Sequence, residues 1–168
     1  MREHEDMDKR LSILMDEYGD SVLRMCYLYL KDYQLAEDVA QETFIRVYQH
    51  YDEFKKQSSI KTWILQIAIN LCKNQIRTKW WKTRSEYEMP EISEDGYYDS
   101  FLDRQMVLQE IGKLSVKYRE VILLYYYQEL SISDISELLG EKESTIKARL
   151  VRARNKLKPE LKEVFCYE

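Results

Sequence analysis

The chain has 168 residues, 45% of them apolar and 33% charged, which supplies a real hydrophobic core but no apolar run of membrane-spanning length. Four Gly and two Pro are too few turn residues for a many-stranded fold, so composition favours an all-α chain. The net charge of −4 argues mildly against nucleic-acid binding, although the placement of charge matters more than its total.

The first ten residues are charged and lack an apolar stretch, which speaks against a secretory signal. Leu11, Leu14, Met15, Tyr18, Val22, Met25, Cys26 and Tyr29 then recur near helical period. After a turn at Lys31, Asp32 and Tyr33, a second stripe runs through Ala36, Val39, Ala40, Thr43, Phe44, Val47, Tyr48 and Tyr51. Its opposite face carries Glu37, Asp38, Gln41, Glu42, Ile45, Arg46 and Gln49, giving an amphipathic helix with an acidic first half. A polar stretch, residues 52–59, breaks the pattern, and Ser58 or Ser59 suits the cap of a third helix. That helix carries Ile60, Trp63, Ile64, Ile67, Ala68 and Leu71, again at helical spacing. It then turns basic, with Lys73, Arg77, Lys79, Lys82 and Arg84 and no acid among them.

Residues 85–100 invert the charge: Glu86, Glu88, Glu91, Glu94, Asp95 and Asp99 stand without a base, beside Pro90 and Gly96. This composition without periodicity reads as an acidic, flexible linker. Helical periodicity resumes with Leu108, Ile111 and Leu114, followed by Val121, Ile122, Leu124, Tyr125 and Leu130. The expected architecture is therefore two small helical domains, residues 11–84 and 101–165, joined by the linker 85–100.

The second domain holds the clearest local motif. Ser131 precedes Asp134 by a capping interval, Ile132, Ile135, Leu138 and Leu139 supply an apolar face, and Gly140 ends the helix. A further helix starts near Glu143 and buries Ile146, Leu150, Ala153 and Leu157. Helix, Gly-containing turn, helix is the helix-turn-helix pattern. Lys147, Arg149, Arg152, Arg154, Lys156 and Lys158 make its second helix, or the residues just past it, basic. In a major groove, Ser144, Thr145, Lys147 and Ala148 would face base edges, with Arg149, Arg152 and Arg154 on phosphates. A helical hairpin with a solvated basic face has the same spacing.

Other chemistry finds little support. Cys26, Cys72 and Cys166 form no C-x-x-C pair, which suits a reduced, cytoplasmic protein, and His4 and His50 are not placed for zinc. No Gly-rich phosphate loop is present, so neither an enzyme nor a cofactor is expected.

Three stretches together resemble one family. AEDVAQETF (residues 36–44) is similar to the AEDxxQExF helix of extracytoplasmic-function sigma factors, and KTWILQIAIN (61–70) to the xxWLxxIAxN helix that follows it there. Residues 118–157, with TIKARLVRAR at 145–154, match that family's C-terminal half in order and spacing. The resemblance implies a two-domain factor that lends promoter specificity to bacterial RNA polymerase. It implies that the Asp38 helix, through Asp38, Gln41, Glu42 and Ile45, grips the clamp helices of the β′ subunit, with the C-terminal domain at the β flap. Asn70 is expected to take a flipped base of the melted −10 element, Lys73, Asn74 and Arg77 its backbone, and Lys61 the same less directly. The 52–59 loop corresponds to the family's specificity loop. The helix-turn-helix is expected to read the −35 element as duplex. Trp63 is assigned to the core, whereas Trp80 and Trp81 suit either base stacking or packing. An anti-sigma factor, often membrane-anchored, is the implied regulator. Two departures stand out: Ser115 follows Leu114 where the family often has Pro, and Glu141, Lys142 and Glu143 make the turn unusually charged. The rival reading is a helix-turn-helix activator that binds duplex DNA without polymerase.

Overall fold

In the computed structural model, residues 2–82 and 102–157 are described. They fall into two compact units, one in each stretch, and no strand occurs among them. The acidic segment 85–100, Lys158 and Cys166 lie outside the described residues.

The first unit is a bundle of α1 (Arg2–Leu30), α2 (Tyr33–His50) and α3 (Ile60–Lys82), each packed on the other two. α1 starts well before Leu11; its polar first turns are supported by the Arg10–Asp6 pair at 2.9 Å, an i, i+4 contact. Lys31 ends it in a left-handed conformation (φ 58°), and Asp32 caps α2 by accepting the Leu35 N–H at 3.0 Å. A single 3₁₀ turn, Tyr51–Glu53, follows α2. Of the two serines considered, Ser59 caps α3: its Oγ accepts the Thr62 N–H at 3.1 Å.

The core is built from Val22, Met25, Cys26 and Tyr29 of α1, Ala36, Val39, Phe44 and Val47 of α2, and Ile64, Leu65, Ala68, Ile69 and Cys72 of α3. Each fully buried large side chain here contributes about 1.5–3 kcal/mol relative to exposure. The buried Thr43 hydroxyl donates to the Val39 carbonyl at 2.7 Å, so its polarity is satisfied. Two expectations are corrected. Met15 is 47% exposed although it shares a helix face with the buried Val22 and Cys26, so helical period alone does not decide its burial. On α3 the buried surface includes Leu65, Ile69 and Cys72 beyond the expected stripe, since the helix meets both α1 and α2. Cys26 and Cys72 meet inside this core, where their mutual hydrogen bond, then burial, push the Cys72 thiol far above its ordinary pKa.

The second unit contains α4 (Leu102–Lys113), α5 (Val116–Ile122), α6 (Ile132–Leu139) and α7 (Glu143–Lys156). α5 runs into a π-helical turn, Leu123–Tyr127, in which the Gln128 N–H reaches the Leu123 carbonyl at 2.9 Å. The Leu130 N–H then bonds the Leu124 carbonyl at 3.0 Å, closing the end with Glu129 left-handed (φ 56°). Glutamate pays for a conformation that glycine adopts freely. The left-handed cost of about 1–2 kcal/mol exceeds glycine's extra chain entropy of about 0.5–1 kcal/mol. Glu129→Gly is therefore expected to stabilise this unit by roughly 0.5–1 kcal/mol in urea melts. A destabilised variant would show that the turn is not left-handed in solution.

α6 carries the expected capping box. The Asp134 N–H bonds Ser131 Oγ at 3.0 Å, and Asp134 Oδ2 accepts the Ser131 N–H at 3.2 Å. Gly140 closes α6 in the left-handed region (φ 66°), which only glycine enters without strain. Ile146, Leu150, Ala153 and Leu157 form the buried stripe of α7, as the periodicity required.

Candidate functional site

In the first unit, the inward stripe of α2 leaves Asp38, Gln41 and Ile45 exposed on one outer face, with Glu42 half-buried beside them. Their i, i+3, i+4, i+7 spacing makes this a continuous patch. Ile45 is 50% exposed, an apolar side chain amid polar neighbours, and Glu42 pairs with Arg46 at 2.9 Å.

On α3, Asn70, Lys73, Asn74 and Arg77 share a second face. Asn70 is exposed, and its amide offers both a donor and an acceptor. Arg77 Nη2 donates to Asn74 Oδ1 at 3.2 Å, so those two side chains form a linked polar pair. Gln66, one turn before Asn70, is exposed on the same face; sequence reasoning passed over it because it lies inside an otherwise apolar stretch. Lys61 is not brought to this face: it stands half a turn around α3 from Asn70. Trp63 packs its ring on Phe54 of the preceding loop, centroids 5.0 Å apart, and so anchors residues 52–59 to α3. The side chains of Trp80 and Trp81 lie outside the described residues.

In the second unit, turning the apolar stripe of α7 inward leaves Ser144, Lys147, Ala148, Val151 and Arg152 exposed together, with Thr145 half-buried. Val151 is 53% exposed; its signal was an apolar, β-branched residue off the buried stripe. Beside them a recess of about 380 Å³ is lined by Lys117, Tyr118, Ser144, Thr145, Ala148, Arg149 and Arg152. It combines cations with hydroxyls, a donor set suited to a phosphate oxygen. Lys117 and Tyr118 come from α5 and were not legible as site residues, since they precede α7 by more than twenty positions.

Two arginines of α7 are engaged inside the unit. Arg154 donates from Nε to the Tyr126 hydroxyl at 2.6 Å, and its guanidinium sits 5.4 Å from the Tyr126 ring centre and 5.8 Å from that of Tyr125. Arg149 lies between the carboxylates of Glu141, at 2.9 Å, and Glu120, at 3.7 Å. Among the described residues, no group of His, Cys, Asp and Glu suits a metal ion, and no helix is long and apolar enough to cross a membrane.

Residues 14–82 match the family model for sigma-70 region 2, and residues 104–157 that for sigma-70 region 4. The chain is 34% identical over 165 residues to the extracytoplasmic-function (ECF) RNA polymerase sigma factor SigW of Bacillus subtilis, covering 90% of this chain and 88% of that one. It is 30% identical over 149 residues to SigM of the same organism, covering 84% and 88%. The sigma factor RpoE of Bartonella quintana, solved with the anti-sigma factor NepR, has the same fold, with a TM-score of 0.79 at 24% identity over 94% of this chain and 98% of that one. The two matched regions and the near full-length likeness to SigW settle the family: the chain belongs to the ECF sigma factors of RNA polymerase.

Proposed function

We propose that the two units divide promoter recognition between them, with residues 11–84 and 101–165 as the working domains and residues 85–100 as their tether. The α2 face of Asp38, Gln41, Glu42 and Ile45 docks on the β′ clamp helices of core polymerase. The α3 face captures the melted −10 strand: Asn70 pairs with the edge of a flipped base, while Lys73, Asn74 and Arg77 lie along its backbone. The α7 helix enters the major groove of the −35 element, with Ser144, Thr145, Lys147 and Ala148 toward base edges and Arg152 toward phosphate. The chain does no bond chemistry itself; it stabilises the open promoter by binding that state in preference to the closed one.

The observation that carries this reading is the outward stripe of Ser144, Lys147 and Ala148 on α7 beside a recess lined by Lys117, Arg149 and Arg152, so cations gather at this helix although the chain as a whole is negative. Unstacking a base costs on the order of a few kcal/mol, so few contacts imply strict promoter requirements. The Bartonella quintana relative is bound by an anti-sigma factor, and we extend that mode of control to this chain, with the cytoplasm as its place of action.

Run-off transcription tests the proposal. Core polymerase with the chain should yield defined start sites on genomic promoter fragments that are absent without it. Asn70→Ala should cut this signal about tenfold, the loss of one bidentate base contact, while leaving polymerase binding intact. Tight duplex binding by the chain alone, without new start sites, would favour an activator and sink the sigma assignment of these faces.

A further inference from the structure

Arg149 is the one cation of the recess held on both sides by carboxylates. Its Nη2 donates to Glu141 Oε1 at 2.9 Å, and its Nη1 lies 3.7 Å from Glu120 Oε1. The Glu120 side chain is 4% exposed, that of Arg149 20% and that of Glu141 41%. The group therefore runs from the interior of α5 to the surface of the turn between α6 and α7.

Glu141 is itself fixed in place. Its N–H donates to the Ser136 carbonyl at 3.1 Å, and its own carbonyl accepts the Ser136 hydroxyl at 2.5 Å. With Gly140 left-handed just before it, the turn presents the carboxylate to α7 from a rigid base. One guanidinium thus ties α5, the turn and the first half of α7 together. Carboxylates stand on both sides of the guanidinium, so a phosphate approaching Arg149 meets repulsion from them as well as attraction. Drawing Arg149 away would also remove one opposite charge from beside the buried Glu120. Lys117 and Arg152, in the same recess, are exposed, and neither is ion-paired with a described carboxylate.

We propose that Arg149 is a positioning residue, held by Glu141 and Glu120 to set the angle at which α7 presents its base-facing side chains. The phosphate seated in the recess is then held by Lys117 and Arg152. This rests on the reading of α7 as the −35 helix.

The test uses holoenzyme on promoter DNA and on the same DNA with single −35 base changes, across a salt series. Glu141→Ala is expected to reduce the affinity ratio between the two DNAs about fivefold, on the scale of one base contact, with the salt slope unchanged. Glu141→Gln should keep most of the ratio, because its amide oxygen still accepts from Arg149. Lys117→Gln and Arg152→Gln should each weaken binding to every sequence alike and reduce the salt slope by about 0.9. If Glu141→Ala instead tightens binding to all DNA and steepens the slope by about one, Arg149 is a phosphate ligand that Glu141 restrains, and the proposal fails. An unchanged ratio overturns it as well. A thermal melt of each variant separates loss of positioning from loss of folding; should the alanine variant melt early, the glutamine variant and the two salt slopes decide. Unmodified holoenzyme that ignores −35 base changes would bring down the underlying −35 reading, an outcome separate from any of these.

Discussion

Leu150→Ala is expected to unfold the second unit while leaving the first intact. Leu150 is 2% exposed in the middle of α7, on the stripe shared with Ile146, Ala153 and Leu157. That stripe is the surface on which α7 packs against α5 and α6. Truncating a buried leucine removes transfer free energy and leaves a cavity, together about 2–5 kcal/mol. A helical unit of this size has a total stability of roughly 3–8 kcal/mol, so the loss consumes most of it. Because each unit has its own core, urea unfolding followed by circular dichroism should show one transition lost or moved to low denaturant and the other unmoved. A single transition shifting as a whole would mean that the units unfold together.

Ile45→Asp is expected to weaken core polymerase binding about thirtyfold, equivalent to about 2 kcal/mol at a contact hot spot, without changing stability. The side chain is 50% exposed, so the first unit does not depend on it for packing, while Phe44 beside it in sequence is 5% exposed and does. An apolar group among Asp38, Gln41 and Glu42 gains by being covered, and a carboxylate there would be desolvated without a partner. Competition for core polymerase against a labelled sigma factor measures the effect, with a thermal melt as control. Unchanged affinity would remove the α2 face from the polymerase contact.

Much of this was legible because local rules governed it. The α2 stripe from Ala36 to Val47, the Ser131–Asp134 capping box and the Gly140 stop each depend on residues within one or two turns, and each occurs as read. What escaped depends on partners distant in sequence. The width of the buried face of α3 follows from its contact with two helices, which periodicity within α3 does not encode. The π-helical turn at Leu123–Tyr127 breaks the 3.6-residue period and carries Tyr126 to Arg154, 28 positions away. A run of basic residues likewise gave no sign that Arg149 and Arg154 are occupied within the unit whereas Lys147 and Arg152 face outward. Charge counts say how many cations a helix has; only packing decides which of them a ligand can use.

The Cys26–Cys72 pair bears on how the protein can be informed of its surroundings. Electrophiles and peroxides attack the thiolate form of cysteine, and reach it only where solvent does. Here both sulfurs lie at 0% exposure, and the Cys72 proton is held by its neighbour and by the apolar interior. As long as the first unit stays folded, these two residues are deaf to the redox state of the cell. Oxidation at these two positions therefore requires the first unit to open, and its rate reports on that opening rather than on the folded state.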